Sequence, residues 1–238
     1  MTLKSKNTLL DTEYFDLIST LHDFSEDTEV EYAIVGGGAI QSYLVDILTN
    51  KHGNRKPTFE SIRDARAQLE HVFRPTDDID IVMLTEDNPS FVSFNLEQYI
   101  HQNYQPNSIK PSHKALTVSR NGHQMRVQLS TDPKVYRGFE DELFNYQVES
   151  ANTLELIYDH RGKGKSTNVL VPKPEVLILP KISRFSPGDI IDLNNLTKGL
   201  AASGIGFDRS EVRGLVKEFA PERADILMSN LDTILNNQ

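Results

Sequence analysis

The chain contains no cysteine among its 238 residues. Disulfide frameworks, thiolate zinc sites and cysteine nucleophiles are therefore excluded, and nothing indicates an oxidising compartment. No apolar run approaches the roughly 20 residues that a membrane-spanning helix needs, and the first residues lack the apolar core of a signal peptide. We therefore expect a cytoplasmic protein without membrane contact, long enough to bury a hydrophobic core.

A broad excess of basic charge is also missing. The formal net charge of −9 argues against a general nucleic-acid coat, because such proteins neutralise phosphates with a basic surface. Any contact with nucleic acid must then be local, and one stretch of the sequence is rich in basic residues. This basic cluster comprises Arg161, Lys163, Lys165, Lys173, Lys181 and Arg184.

Several common catalytic patterns are absent too. The seven histidines are scattered without metal-ligand spacing. There is no G-x-S-x-G nucleophile elbow and no Walker-type phosphate loop. The chain shows neither an internal repeat nor a low-complexity tract.

The hydrophobic pattern predicts an α/β (α+β) chain with a small mixed sheet. The predicted strands cover residues 32–35, 79–84, 115–118, 125–129 and 168–171. Helices are predicted after Asp11, at about 40–47, 62–72, 91–100, 175–184 and 189–202, and in two terminal segments. The acidic stretch after the first helix is predicted to be a loop, and Pro180 to disrupt its helix. The sheet region would end near residue 150, with a mainly helical region over 151–238.

Two aspartates at the start of the second predicted strand are the main candidates for chemistry. Asp78 and Asp80 are two residues apart, so their side chains lie on the same face of the strand. Adjacent carboxylates repel each other unless a cation lies between them, and hard oxygen ligands suit Mg²⁺. The pair therefore predicts a metal site, although two such aspartates at a strand start often only cap a turn.

A glycine triplet separates the first predicted strand from the following helix. Gly36, Gly37 and Gly38 would let the backbone approach a phosphate at the positive end of that helix. A tight turn without a ligand is the plainer interpretation. A dinucleotide-binding fold is a further alternative, but the last glycine of its motif would fall on Gln41, and no acidic residue follows at the expected distance.

Together these residues resemble the first motif of the DNA polymerase β-type minimal nucleotidyltransferase superfamily. The matching pattern is strand, Gly-Gly-x-Ala and helix, followed by Arg74-x-Thr76-x-Asp78-Ile-Asp80. Within the superfamily the sequence is most similar to the AbiEii/AbiGii toxins of type IV toxin–antitoxin systems. The second motif of that group matches Lys181, Arg184, Asp189 and Asp192-Leu193.

The resemblance implies transfer of a nucleoside monophosphate from an NTP, with Mg²⁺ or Mn²⁺ held by Asp78 and Asp80. The triphosphate would lie over the glycine turn, near Thr76 and Arg184. Lys181 would neutralise phosphate charge, and Asp192, with Asp189, would position Lys181 or activate the acceptor. RNA, including tRNA, or a protein hydroxyl would accept the nucleotide, and a cognate antitoxin would be a partner.

One departure from the pattern concerns the third carboxylate that the superfamily often carries on a later strand. Gln128 stands where that acid is expected, and an amide can ligate a metal but cannot act as a base. A catalytically degenerate binding module is therefore an alternative. A nucleotidyltransferase that modifies a small molecule, such as an antibiotic, would use the same site chemistry.

Overall fold

The computed structural model describes residues 11–50, 76, 78–85, 87–112, 114–160, 163–203 and 207–236. The helix predicted at 62–72 lies outside the described residues. Arg74 and Arg161, both named in the sequence interpretation, also lie outside them.

Helices and strands alternate in the first half of the chain, and helices predominate towards its end. The helices are α1 (Thr12–Thr28), α2 (Gly36–Asn50), α3 (Pro89–Asn103), α4 (Glu142–Glu149), α5 (Pro174–Arg184), α6 (Pro187–Ser203), α7 (Arg209–Phe219) and α8 (Ala224–Asn236). The strands are β1 (Glu31–Val35), β2 (Asp78–Leu84), β3 (Ser108–Ser112), β4 (Ala115–Arg120), β5 (His123–Ser130), β6 (Ala151–His160) and β7 (Lys163–Pro172). Single 3-10 turns occupy Pro133–Val135 and Pro221–Arg223.

Five of the strands form a mixed sheet in the order β1-β2-β5-β4-β3. β2 and β5 pair in parallel, and the other neighbours pair antiparallel. The predicted α/β class with a small mixed sheet is confirmed. The antiparallel pairing of β1 with β2 argues against the dinucleotide-binding alternative, whose first strands run parallel.

The hairpin predicted around Asn121 and Gly122 joins β4 to β5. Both residues have positive φ, 50° and 84°, as the two central residues of a type I′ turn require. The predicted hairpin is therefore confirmed.

β6 and β7 form a second, two-stranded sheet of ten residues per strand. The hairpin packs against α2 and β1. The Tyr43 hydroxyl donates to the Pro172 carbonyl at 2.9 Å, and the Asn152 amide donates to Tyr43 at 3.3 Å. The region after residue 150 thus begins with a hairpin of which only 168–171 was predicted, while a domain division at residue 150 stays a prediction.

Two local predictions were wrong. The acidic stretch expected to be a loop continues α1 to Thr28, because Leu21 and Phe24 extend the buried face of that helix. Pro180 does not interrupt α5. Its lost N–H is tolerated because the neighbouring Leu179 and Ile182 are fully buried in the core.

No helix within the described ranges is both long enough and apolar enough to span a bilayer.

Candidate functional site

Asp78 and Asp80 lie on one face of β2, alternating with Ile79 and Ile81, which are fully buried. Asp80 lies opposite Val35 of β1 and opposite Gln128 of β5. Because partners in register share a face of the sheet, Gln128 lies beside Asp80. The position of the expected third carboxylate is therefore occupied by an amide next to the aspartate pair.

The glycine turn lies directly against Asp80. β1 ends at Val35, and α2 begins at Gly36, whose φ is +66°. A Cβ atom on Gly36 would overlap the Oδ2 atom of Asp80. Position 36 therefore requires glycine for two reasons, the positive φ and the approach of the carboxylate. The first turn of α2, with its N–H groups, lies next to Asp80.

Replacing Gly36 with alanine tests this contact. We expect the Gly36→Ala protein to lose about 1–3 kcal/mol of stability from backbone strain and to bind NTP more weakly, because Asp80 must move. The matched control is Gly214→Ala in α7, where an added Cβ meets no atom within 4 Å. In thermal unfolding, that control should be as stable as the wild type or slightly more stable. Equal stability and equal NTP affinity of the two variants would contradict the account.

Gly38, Gly37 and Thr76 belong to the same region. A Cβ on Gly38 would lie 3.1 Å from the Tyr14 hydroxyl oxygen, so the turn packs closely on α1. The Thr76 hydroxyl donates to the Asp78 carbonyl at 3.1 Å and accepts from the Asp78 N–H at 3.3 Å. Thr76 thus fixes the backbone at the first aspartate, while its predicted contact with nucleotide stays a prediction.

The second predicted motif forms a buried ion pair. The Lys181 ammonium donates to Asp192 at 2.7 Å and lies 3.5 Å from Asp189. The side chains of all three are at most 5 % exposed. Charges at this depth are stable only when they are paired. Asp192 therefore holds Lys181 in place, as the positioning role requires.

Asp189 binds both Arg184 and the start of α6. Arg184 donates to it twice, at 2.7 and 3.2 Å, and the Ser186 hydroxyl donates to it at 2.6 Å. In return, the Asp189 N–H donates to the Ser186 hydroxyl at 3.2 Å, and the Ser186 N–H donates to the Asp189 carboxylate at 3.4 Å. These two bonds form a capping box. Burial raises the pKa of Asp189, but Arg184, Ser186 and Lys181 outweigh it and lower that pKa to about 2.

A cavity of about 270 Å³ joins the two motifs. Of the predicted residues, those lining it are Gly36, Asp80, Gln128, Lys181 and Arg184. The other predicted residues with described positions are outside its lining, namely Gly37, Gly38, Thr76, Asp78, Asp189 and Asp192. The glycine turn, one aspartate and two cations therefore face a common space.

The electrostatics of the cavity favour an added cation near Asp80. Burial raises the pKa of Asp80, and the neighbouring Asp78 raises it further. Arg184, Lys181 and Arg126 act in the opposite direction but do not cancel the increase. The pKa of the hydroxyl of Tyr136, a partly buried residue of the cavity wall, is also raised, first by desolvation and then by Asp80.

The oxygen ligands fit Mg²⁺ bound together with phosphates. The described residues contain no group of three or more His, Cys, Asp or Glu side chains arranged to hold a metal. Two carboxylates and the Gln128 carbonyl remain, and Mg²⁺ in enzymes commonly uses one or two carboxylates plus substrate phosphates. The ligand set therefore suits a metal that arrives with a nucleotide.

Sequence reasoning missed much of the cavity wall. The unpredicted lining residues include Ser130, Val135, Tyr136, Arg137, Phe139, Gln147, Leu177 and Pro180. One signal was available: Gln147 follows Leu143 and Phe144 at helical spacing, so it is a polar residue on an apolar face.

Two members of the basic cluster outside α5, Lys165 and Lys173, have acidic partners. Lys165 of β7 lies 3.0 Å from Asp16 of α1, and Lys173 lies 3.6 Å from Glu211. Neither lysine lines the cavity at Asp80. Both pairs are partly exposed, so each contributes little to stability.

No protein-family profile matches the sequence, and no curated protein is similar to it. Among solved structures, the chain is similar to an antigenic nucleotidyltransferase-like protein from Paracoccidioides brasiliensis. That match has a TM-score of 0.44 and 17% identity, over 93% of this chain and 94% of the other.

The antibiotic-resistance factor ANT(2'')-Ia is also similar. Its TM-score is 0.43 at 12% identity, over 95% of each chain. Similarities of this size carry no argument about activity. Neither protein is named as an AbiEii or AbiGii toxin, so that resemblance stays a prediction.

Proposed function

We propose that this chain is a metal-dependent nucleotidyltransferase that transfers a nucleoside monophosphate from an NTP to a hydroxyl group. The observation that carries the proposal is the contact between Gly36 and the Asp80 carboxylate in a cavity also lined by Lys181 and Arg184. Phosphate and metal would bind at this contact, and the two cations line the same cavity.

The site chemistry follows from these groups. The acceptor oxygen forms a bond to the α-phosphorus, the bond from that phosphorus to the bridging oxygen breaks, and pyrophosphate leaves. The hydroxyl proton is released to water. Mg²⁺ or Mn²⁺ held by Asp78 and Asp80 would neutralise charge on the phosphates. Lys181 and Arg184 add positive charge, and Asp192 and Asp189 keep those cations in place.

We extend the proposal to an RNA acceptor, tRNA included, and to a toxin role with a cognate antitoxin as partner. Support comes from the sequence resemblance around Lys181, Arg184, Asp189 and Asp192, whose side chains form one ion-pair network. A protein hydroxyl is the other acceptor that the same chemistry serves.

The test is incubation of the protein with Mg²⁺, each labelled NTP in turn, and either total RNA or a protein extract. A label that appears in RNA or protein identifies acceptor and base together. Transfer that requires the metal supports the proposal, and no transfer to any acceptor with any NTP opposes it.

A catalytically inactive nucleotide-binding module is the second candidate, because Gln128 lies beside Asp80 where a carboxylate would act as a base. Such a protein would bind NTP and metal without transfer. Gln128→Glu would discriminate between the two: a gain of transfer from an inactive wild type would establish the degenerate site.

The basic residues Arg161, Lys163 and Lys165 of the sequence are our candidates for RNA contact. Replacement of Arg161, Lys163 and Lys165 with alanine should weaken RNA labelling and flatten its salt dependence, because fewer phosphates are neutralised. NTP binding should be unchanged. As a control, alanine at the exposed Lys110, Arg213 and Lys217 removes the same charge elsewhere. If the variant with Arg161, Lys163 and Lys165 replaced labels RNA as strongly as the wild type, these residues do not bind the acceptor.

A further inference from the structure

Gln147 is a buried amide without a hydrogen-bond partner. It lies on α4 and is 1 % exposed, and neither its Nε2 nor its Oε1 atom is hydrogen-bonded within the described part of the chain. A buried amide without partners costs about 1–3 kcal/mol. In a cavity wall, such an amide can bind a ligand that both donates and accepts hydrogen bonds.

The cavity that Gln147 lines contains two kinds of surface. Asp80, Lys181 and Arg184 provide the charged groups described above, next to the backbone of Gly36. The remaining wall is largely aromatic and aliphatic, with Val135, Tyr136, Phe139, Leu177 and Pro180. A nucleotide has the same division, because a charged phosphate chain is joined to a flat base with apolar faces.

The edge of a nucleobase is the group that matches the carboxamide. Gln147 presents one acceptor and one donor side by side, and each base carries neighbouring acceptors and donors on its edge. A phosphate has acceptors only and would leave the Gln147 carbonyl without a partner. Apolar groups would satisfy neither atom.

We propose that Gln147 hydrogen-bonds the base of the bound NTP and determines which base is preferred. This inference rests on the proposed nucleotidyltransferase function and deepens it. Gln147 is then a specificity residue, separate from the groups that hold phosphate and metal.

The experiment measures binding of ATP, GTP, CTP, UTP and inorganic tripolyphosphate to the full chain with Mg²⁺. The wild type should prefer one base. Gln147→Leu should lower affinity for that NTP by about 10- to 100-fold, as expected for a lost bidentate contact. The affinities for the four NTPs should then be nearly equal. Tripolyphosphate affinity should be unchanged, and the thermal midpoint should be equal or higher because an unpaired amide is removed.

Two further variants complete the test. Gln147→Met has a similar length and replaces Gln147→Leu if that protein does not fold. Asn145→Leu removes an amide from an exposed position of the same helix and should leave the base preference intact.

The two proposals fail in different ways. If the wild type binds tripolyphosphate and all four NTPs equally, or if Gln147→Leu retains the base preference, the inference about Gln147 is overturned while the phosphate site remains. If the wild type binds neither NTP nor tripolyphosphate, the proposed function fails, and the inference fails with it.

Discussion

Replacement of Asp80 with asparagine is expected to abolish nucleotide transfer while leaving the metal-free fold at least as stable as the wild type. The carboxylate would hold the metal, and loss of that charge stabilisation should lower kcat/KM by roughly 10³-fold or more. The stability of the metal-free fold is expected to stay the same or to increase. Burial and Asp78 already disfavour the charged form of Asp80, so a neutral side chain removes an unfavourable interaction.

The measurement pairs a transfer assay with thermal unfolding in the presence of a chelator. Asp232→Asn is the control, since Asp232 forms a partly exposed ion pair with Arg209 and should affect neither quantity appreciably. Full transfer by Asp80→Asn would refute the metal role of this residue. A large fall in thermal midpoint would instead show that Asp80 is required for folding.

The buried pair of Lys181 and Asp192 provides the second large effect. Lys181→Met should destabilise the protein by about 3–5 kcal/mol, because the buried carboxylates of Asp189 and Asp192 then lose the cation that lies against both of them. Adding Asp192→Leu should restore most of that stability, since an apolar pair replaces an ion pair. If Lys181 neutralises phosphate charge, the restored double variant should still transfer nucleotide at least about 10²-fold more slowly than the wild type.

The double variant separates a structural role from a functional one. Recovery of both stability and transfer would show that Lys181 only supports the fold. Arg209→Met is a matched control, because it breaks an exposed pair with Asp232. We expect a change within about 1 kcal/mol for that variant.

Local chemistry made the centre of the site predictable. A glycine triplet between a strand and a helix has few interpretations, and alternation placed Asp78 and Asp80 on one face of β2. The contact between Asp80 and Gly36 arises from the register of β1 against β2. No residue spacing encodes that register, so the sequence could suggest proximity but not contact.

Other features depend on pairing between distant segments. β6 was missed because its residues become a strand only through pairing with β7 and packing against α2. Gln147 enters the cavity because α4 packs against β2. The hydrophobic periodicity of a short helix does not reveal such tertiary contacts.

The partners of charged residues were also predictable only when they are close in the sequence. The Asp189 capping box is local and was foreseeable from Ser186 three residues earlier. The pairing of Lys181 with Asp192 joins two helices, and only the family resemblance linked them. The pairing of Lys165 with Asp16 spans most of the chain and had no signal in the sequence.

Metal-dependent NTP binding tests the central claim most directly. Affinity for a non-hydrolysable NTP is measured with Mg²⁺ and with a chelator, in the wild type and in the Asp78→Asn/Asp80→Asn double variant. We expect the metal to increase wild-type affinity at least about tenfold, because Asp78 and Asp80 would hold it where it would neutralise phosphate charge. It should have no effect in the double variant. Wild-type affinity that is equal with and without metal, or a double variant that retains the metal effect, would contradict the account.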